Sequence, residues 1–250
     1  MAASTPRATI IGISGCSSSG KTTLSRLLRA ILPDTQIIHQ DDFYLPETQI
    51  PMKDGFQDWD CAESLDLAGL RDALVWARET GEAPAWLVSK EDQNTVAPSG
   101  VEDELVARLR DRVSARLAQS PPPRRIFLVD GFLLYPPTLA PSPLPHLDTK
   151  LLLLTSLPAL LARRARRSGY VTLEGFWQDP EGYVEAIVWA NYVRDHAFLF
   201  AAGDVDGPVI EEVVERLGVK VQPDRAWGMS EVLEWAVEEI LKGLSVGGGG

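Results

Sequence analysis

The chain has 250 residues, a length that suits one sizeable domain with a lid or an insertion. Its 24 basic and 35 acidic residues give a net charge of −11, which argues against a general nucleic-acid partner or an anionic membrane surface. Two cysteines are too few for a disulfide framework or a cysteine-rich metal cluster. Because no signal sequence or membrane-spanning run is recognisable either, we expect a cytoplasmic protein.

The first predicted elements surround a glycine-rich loop. An apolar, β-branched run over residues 8–14 predicts a buried strand, and apolar positions at helical spacing over residues 23–32 predict a helix. Between them, residues 15–22 fit G-x-x-x-x-G-K-[ST], the phosphate-binding loop of P-loop NTPases. A strand, a glycine loop and a helix in this order form the context that the motif requires, so a chance match is disfavoured.

The residue types of this loop suit phosphate binding. Gly15 and Gly20 allow backbone angles that a Cβ atom would block, so successive N–H groups can point at phosphate oxygens. We expect Lys21 to reach the β- and γ-phosphates as a catalytic residue, and the Thr22 hydroxyl to bind Mg²⁺. The predicted ATP-binding residues of the loop are Gly15, Ser17, Ser18, Ser19, Gly20, Lys21, Thr22 and Thr23.

A second predicted strand, over residues 35–40, is followed directly by Asp41 and Asp42. Ligands of open α/β sheets bind beyond the carboxyl ends of the strands, so a carboxylate here can face the γ-phosphate. A phosphoryl acceptor needs a base, and Asp41 suits that role. Two aspartates can also simply cap a loop, but the preceding phosphate loop favours the catalytic interpretation.

Trp59 followed by Asp60 is an unusual pair in a polar loop. An aromatic ring to stack on and a carboxylate to bind two hydroxyl groups would suit a nucleoside. The structural alternative makes Asp60 the N-cap of a helix over residues 61–80, with Glu63 completing a capping box. That helix would bury Leu65, Leu67, Leu70, Leu74 and Trp76.

Residues 81–125 predict a surface insertion that contains one charged amphipathic helix over residues 101–118. A strand over residues 125–130 then ends in Asp130, which is the Walker B pattern. The acid of that pattern helps to hold Mg²⁺. Many parallel strands end in Asp, so the predicted metal site, made of Thr22 and Asp130, depends on the phosphate loop being real.

A predicted lid over residues 163–180 begins with four arginines in five positions. Cations at the end of a helix can simply oppose its dipole. Alternatively they bind the phosphates of ATP, because arginine commonly stabilises charge in phosphoryl transfer. In so acidic a chain we favour the second interpretation, and we assign Arg163, Arg164 and Arg166 to ATP.

The remaining elements complete an α/β pattern. A strand is predicted over residues 151–155, helices over residues 180–199, 211–217 and 230–244, and a last strand over residues 219–221. Alternating strands and helices predict a three-layer α/β/α P-loop NTPase fold with a mainly parallel sheet. Residues 1–246 would form one kinase domain, and the glycines at 247–250 a flexible tail.

Several of these motifs, in this order, resemble the nicotinamide riboside kinase family within the uridine kinase and phosphoribulokinase group of P-loop kinases. Beyond the loop, the matching stretches lie at residues 40–43, 55–60, 130–134 and 182–192. The resemblance implies phosphorylation of nicotinamide riboside at its 5′-hydroxyl by ATP with Mg²⁺, giving nicotinamide mononucleotide. The insertion and the lid are longer here than in the family.

The resemblance also implies roles for single residues. Asp41 would be the general base, Trp59 would stack on the nicotinamide ring and Asp60 would bind the ribose hydroxyls. Asp130 stands where the family has a glutamate near Mg²⁺. Tyr170, Phe176 and Trp177 remain alternatives for a second stacking ring. The resemblance does not decide which of the four lid arginines contacts the substrate. The other residues assigned to the riboside are Phe43, Arg167, Tyr170, Trp177 and Asp179.

Two alternatives stay open at this point. A uridine or cytidine kinase would need side chains that bind a pyrimidine edge, and no such cluster is evident; pantothenate kinase and phosphoribulokinase explain the Trp-Asp pair less well. A non-catalytic nucleotide-binding module would need the phosphate loop but not Asp41. The joint presence of Lys21, Thr22, Asp41 and Asp130 favours a kinase.

Overall fold

The computed structural model describes residues 8–89, 98–118, 125–166, 170–171 and 176–246. At residues 170, 171, 176, 177, 245 and 246 the description covers the backbone only. The strands are β1 Ala8–Gly15, β2 Thr35–His39, β3 Met52–Lys53, β4 Phe56–Gln57, β5 Arg125–Gly131, β6 Thr149–Leu153, β7 Tyr170–Val171, β8 Phe176–Trp177 and β9 Val219–Val221. The α-helices are α1 Lys21–Ile31, α2 Leu67–Thr80, α3 Asp103–Leu117, α4 Leu157–Arg164, α5 Ala190–His196, α6 Glu211–Leu217 and α7 Met229–Val246.

A parallel sheet forms the middle of the fold. Five strands lie in the order β2-β5-β1-β6-β9, and each neighbouring pair is parallel. The carboxyl ends of β1, β2 and β5 therefore meet at one edge, where the phosphate loop begins. The other two pairs, β3 with β4 and β7 with β8, are short antiparallel hairpins outside this sheet.

Helices cover both faces of the sheet, because successive side chains of a strand point to opposite sides. Ile10 packs with Leu70 and Leu74 of α2 on one face. Ile11 and Ile13 pack on the other face, with α1, α3 and α7. The predicted three-layer α/β/α architecture is thus confirmed, and its two cores are separated by the sheet.

One predicted helix begins later than its pattern suggested. Residues 62–64 form a single 3₁₀ turn, and α2 begins at Leu67. Its N-cap is Asp66, whose side chain accepts a hydrogen bond from the Gly69 N–H at 2.8 Å, so the N-cap role expected of Asp60 is wrong. Trp76 is 51% exposed and not part of the core, whereas Leu70 and Leu74 are buried as expected.

The segment at residues 81–125 contributes to the core through its helix. Leu109 and Val113 of α3 are 2% and 0% exposed, and they pack with α1 and α7. The rest of α3 is largely solvated and highly charged, as the amphipathic pattern predicted. One helix of the segment therefore completes a helix layer, while residues 90–97 and 119–124 lie outside the described part.

Candidate active site

The phosphate loop turns sharply between β1 and α1. Gly15 has a φ of 147°, and a Cβ atom there would lie 2.5 Å from the Leu153 carbonyl oxygen. Gly20, the residue before α1, has a φ of 106°. Both glycines of the motif are thus required by backbone conformation, and at Gly15 the close approach to β6 adds a steric reason. The loop places the amino end of α1, with its partial positive charge, beside the cleft.

Lys21 is buried at the base of this loop. Its Nζ atom donates a hydrogen bond to the Cys16 carbonyl at 2.9 Å, and the residue is 9% exposed. Burial lowers the pKa of Lys21, although the negative charge of Asp41 opposes that effect most strongly. The ammonium is therefore held across the loop, close to the carboxylates that line the same cleft.

The catalytic candidates that follow three strand ends line one cleft beside the loop. The volume of this cleft is about 490 Å³, including the part that is open to solvent. The residues lining it are Ser17, Ser18, Gly20, Lys21, Thr22, Thr23, Asp41, Asp130, Gly131 and Phe132. All of the loop residues predicted to bind ATP lie here except Gly15 and Ser19, and Ser19 is buried in the loop itself.

Asp130 is the last residue but one of β5 and is paired with a histidine of the neighbouring strand. His39 Nδ1 lies 2.7 Å from Asp130 Oδ1, and the two residues are 0% and 4% exposed. Burial alone would raise the pKa of Asp130, but the charge and hydrogen bond of His39, with Lys21 and the Thr22 hydroxyl nearby, lower it overall. Asp130 is thus held as a carboxylate, and His39 Nδ1 donates to it.

The arrangement around Asp130 fits a magnesium ion. Its second oxygen, Oδ2, is buried and has no hydrogen-bond partner among the described residues, and Thr22 lines the same cleft. No group of three or more His, Cys, Asp or Glu residues suited to a metal occurs in the described part. Mg²⁺ commonly binds through one or two protein ligands, waters and substrate phosphates, so a hydroxyl and one carboxylate are sufficient.

Asp41 directly follows Gln40, the residue that fixes the turn after β2. The preceding residue, Gln40, is fully buried; its Nε2 donates to the Leu133 carbonyl at 2.8 Å and its Oε1 accepts from the Leu133 N–H at 2.9 Å. Asp41 itself is exposed toward the cleft that Lys21 and Asp130 also line. The turn after β2 is therefore fixed to the loop after β5, and the Asp41 carboxylate lies at the phosphate end of the cleft.

Asp60 is held by a buried polar network. The Tyr183 hydroxyl donates to Asp60 Oδ2 at 3.2 Å and accepts from the Trp59 N–H at 3.2 Å. Asn191 Nδ2 donates to both oxygens of Asp58, at 2.8 and 3.0 Å, and to the Asp60 carbonyl at 3.1 Å. These contacts fix the backbone and side chain of the Trp-Asp pair to the segment that carries α5.

Aromatic rings connect this pair to the phosphate cleft. The ring of Trp59 meets that of Tyr44 edge-on, with centroids 5.3 Å apart, and Tyr44 stacks on Phe132 at 6.3 Å. Phe132 lines the cleft and also a smaller cavity that reaches Asp60. Asp60 therefore lines a cavity that shares Ser17 and Phe132 with the phosphate cleft, whereas Trp59 is joined to that cleft only through the rings of Tyr44 and Phe132.

The lid arginines contact the phosphate loop. Arg164 is 7% exposed; it binds both carboxylate oxygens of Asp179 at 2.7 Å and donates to the Ser17 hydroxyl at 2.9 Å. Arg163 donates to the Ser19 carbonyl at 3.0 Å. Arg166 is exposed just beyond α4. Arg163 thus binds the backbone of the phosphate loop, and Arg164 binds a side chain of that loop. The assignment of Arg163, Arg164 and Arg166 to ATP stays a prediction.

Several substrate candidates are placed differently or lie outside the description. Phe43 is 5% exposed and packs in the core, where its ring meets Trp86 edge-on, and it is not among the residues that line the cleft. Arg167 lies outside the described residues. For Tyr170 and Trp177 only the backbone is described, as the outer ends of the β7–β8 hairpin.

Three site residues had no assigned role in the sequence analysis: His39, Tyr183 and Asn191. His39 lies directly beside Asp130 because β2 and β5 are parallel neighbours, and the sequence alone does not give that pairing. Tyr183 and Asn191 reach Asp58–Asp60 from more than 120 positions along the chain. No local pattern indicates that contact.

Fold and site together define a P-loop α/β protein with the kinase architecture. A scan against models of protein families found no match. The chain is 37% identical to a nicotinamide riboside kinase of Schizosaccharomyces pombe over 242 residues, which are 96% of this chain and 99% of that protein. It is 30% identical to a nicotinamide riboside kinase of Saccharomyces cerevisiae over 236 residues, 93% of this chain and 95% of that protein. The chain belongs to the nicotinamide riboside kinase family.

Animal relatives match as well, over a smaller share of the chain. Human nicotinamide riboside kinase 2 is 32% identical over 186 residues, 74% of this chain and 66% of that protein. The resemblance inferred from the motifs is therefore confirmed over most of the chain. In the described part, no helix combines the length and the apolar character that crossing a bilayer requires.

Proposed function

We propose that the protein transfers the γ-phosphoryl group of ATP to the 5′-hydroxyl of nicotinamide riboside, giving nicotinamide mononucleotide and ADP. Family membership supports this reaction, and one observation carries it for this chain. The phosphate cleft, lined by Lys21, Asp41 and Asp130, adjoins the cavity reached by Asp60. The proposal includes a cytoplasmic location and a single kinase domain over residues 1–246, with an insertion at 81–125 and a lid at 163–180.

The proposed chemistry is a direct displacement at phosphorus. The 5′-oxygen of the riboside forms a bond to the γ-phosphorus, while the bond from that phosphorus to the bridging β-oxygen breaks and leaves ADP. Asp41 accepts the proton of the hydroxyl, and Lys21 balances charge on the β- and γ-phosphates. Such transfer needs positioning and charge stabilisation more than covalent participation by the protein.

The magnesium part of the proposal depends on Thr22 and Asp130. Oδ2 of Asp130, which is buried and has no partner in the described part of the chain, and the Thr22 hydroxyl would supply the oxygen ligands that Mg²⁺ prefers. When bound, the ion would supply positive charge that neutralises the phosphates. Lys21 and the loop N–H groups would then hold the rest of the triphosphate.

Recognition of the riboside is proposed for Trp59 and Asp60. The edge-on contact with Tyr44 holds the Trp59 ring, whose face can stack on the cationic nicotinamide and gain about 0.5–2 kcal/mol from the cation–π attraction. Asp60 would accept hydrogen bonds from the two ribose hydroxyls. A deoxyriboside would leave part of that buried carboxylate unpaired, so discrimination against it is expected.

The experiment combines a substrate panel with one variant. Wild type, with ATP and Mg²⁺, is assayed on nicotinamide riboside, nicotinic acid riboside, uridine and cytidine, and we expect kcat/KM to be highest for a pyridine riboside. Asp41→Asn should lower kcat by roughly 10²–10⁴-fold, because it removes the base, while ATP still binds.

The neighbouring change Asp42→Asn is the matched control and should leave kcat within a few-fold of wild type. Preference for uridine or cytidine would overturn the proposed acceptor. Turnover retained in Asp41→Asn would remove Asp41 from the role of base, and equal losses in both variants would show a general disturbance of the turn.

A further inference from the structure

A buried histidine acts on the proposed metal ligand. His39 and Asp130 lie side by side at the carboxyl ends of two neighbouring parallel strands, and their side chains meet at 2.7 Å. That contact joins His39 Nδ1 to one carboxylate oxygen, Oδ1. The other oxygen, Oδ2, is buried without a hydrogen-bond partner among the described residues, and Asp130 lines the phosphate cleft with Thr22. The two oxygens of this carboxylate therefore have different surroundings.

We propose that His39 is a positioning residue that fixes the Asp130 carboxylate so that its Oδ2 atom is presented to the magnesium ion of the ATP complex. The inference rests on the proposed ATP and magnesium site and does not depend on the identity of the phosphoryl acceptor.

The need for such a residue follows from the torsion of the aspartate. The terminal torsion of an Asp side chain has broad, roughly two-fold preferences, so an unrestrained carboxylate rotates and exchanges its two oxygens. A hydrogen bond from a buried imidazole to Oδ1 prevents that rotation. Residues that orient a metal ligand in this way are worth about 10–100-fold in metal affinity.

The contacts around His39 and Asp130 favour an orienting role over a purely structural one. The same two strand ends are already joined by Gln40, whose side chain makes two hydrogen bonds to Leu133. If His39 only neutralised a buried acid, both carboxylate oxygens would be expected to find donors. Instead Oδ2 has no hydrogen-bond partner among the residues that the structure describes, and Asp130 lines a cleft together with Lys21 and Thr22.

Three variants separate orientation from packing. His39→Leu removes the donor and keeps an apolar side chain of similar size. His39→Asn places an amide nitrogen where Nδ1 is now, so it can restore the bond to Oδ1. His39→Gln carries the same amide one carbon farther out and serves as the matched control for a misplaced donor. Thermal unfolding shows which variants are folded.

The readout is the effect of magnesium on ATP binding, measured by calorimetry without any riboside. The dissociation constant of ATP is determined once with excess Mg²⁺ and once with EDTA, and the ratio of the two is the magnesium enhancement. We expect His39→Leu to reduce this enhancement by about 10–100-fold while the constant in EDTA stays near wild type. His39→Asn should recover most of it, and His39→Gln should not.

Each other result would overturn the inference. An unchanged enhancement in His39→Leu would show that orientation of Asp130 does not depend on His39. Equal behaviour of the Asn and Gln variants would point to polarity or packing, and this comparison remains informative if the Leu variant does not fold. Wild type that binds ATP equally with Mg²⁺ and EDTA would remove the metal from the site. Failure of the riboside panel alone would change the acceptor and leave this result intact.

Discussion

Asp60 is a buried site residue whose ionisation is shifted by its surroundings. Burial raises its pKa; the charge of Arg164 and the hydrogen bond from Tyr183 act in the opposite direction, and the negative charge of Asp58 adds to the rise. The net shift is upward from the ordinary value of 3.8. The carboxylate form, which accepts hydrogen bonds from hydroxyl groups, is therefore lost at a higher pH than for an exposed aspartate.

This shift predicts that riboside binding weakens at acid pH. Since the folded pKa is raised, Asp60 becomes protonated as the pH falls toward 3.8, before an ordinary aspartate would. With ATP saturating, KM for nicotinamide riboside is expected to rise in that range, because protonation removes acceptor capacity and charge. Initial rates measured at constant ionic strength, from neutral pH downward as far as the protein stays folded, check it.

Asp60→Asn is the matched control for that pH dependence. It keeps the size of the side chain and removes its titration, so KM should be higher than wild type at neutral pH and flat toward acid. The same acid slope in both proteins would assign the titration to a group other than Asp60.

Among the site residues, the sequence predicted the positions of those that belong to a local motif. Lys21, Thr22 and Asp41 lie at the cleft because short spacings from a strand end determine where they can be. His39 and Asp130 are 91 positions apart, and only the order and register of the strands bring them together. Phe43 belongs to a motif but faces the core, so membership of a motif does not decide which way a side chain points.

Among the structural elements, the turn after β2 depends on one glutamine. Gln40 supplies both hydrogen bonds to the Leu133 backbone, and a Cβ atom added to Gly131 would lie 2.6 Å from Gln40 Oε1, so the packing there is tight. Gln40→Met keeps the volume but leaves a buried N–H and a buried C=O unpaired. Each such group costs about 1–3 kcal/mol, so we expect the free energy of unfolding to fall by roughly 2–5 kcal/mol.

Urea unfolding measures this change, and kcat should fall in the same variant because Asp41 follows directly. Gln49 is an exposed glutamine of the same region, and Gln49→Met should stay within about 0.5 kcal/mol of wild type. A Gln40→Met protein as stable as wild type would mean that water or a backbone shift replaces the lost partners.

Element boundaries were less predictable than element types. The pattern from residue 61 onward suits a helix, yet the chain makes a 3₁₀ turn first and α2 begins after Asp66. Tertiary contacts explain the delay, since Tyr183 binds the Trp59 N–H and Asn191 binds the Asp60 carbonyl, just before the 3₁₀ turn. The predicted helix over residues 180–199 likewise contains a π-helical part, Val184–Trp189, before α5. Such wide turns have no reliable local signal.

For the whole molecule, the sequence predicted the three layers but not the order of the strands in the sheet. Alternation of strands and helices is enough for a parallel sheet covered on both faces. The order β2-β5-β1-β6-β9 depends on which strands pair, and that information lies in contacts between distant segments. The segment at residues 81–125 shows the difference clearly, because its charged helix looked peripheral and yet supplies two buried residues.

Leu109 tests how far α3 supports the fold. Its side chain is 2% exposed between α1 and α7, so Leu109→Ala removes buried apolar volume from that layer. Such substitutions cost about 2–5 kcal/mol, and we expect a loss of this size in the free energy of unfolding, measured with urea. Arg112→Ala, on the exposed face of the same helix, should change it by less than about 0.5 kcal/mol.

Catalysis should respond differently from stability. Because α3 contributes none of the residues that line the described cleft, the folded Leu109→Ala protein should keep wild-type KM values for ATP and riboside at a temperature well below its unfolding transition. A loss of stability with unchanged KM values would show that α3 belongs to the core that carries the site. If Leu109→Ala were instead as stable as Arg112→Ala, the helix would be a peripheral insertion that the sheet and the other helices do not need.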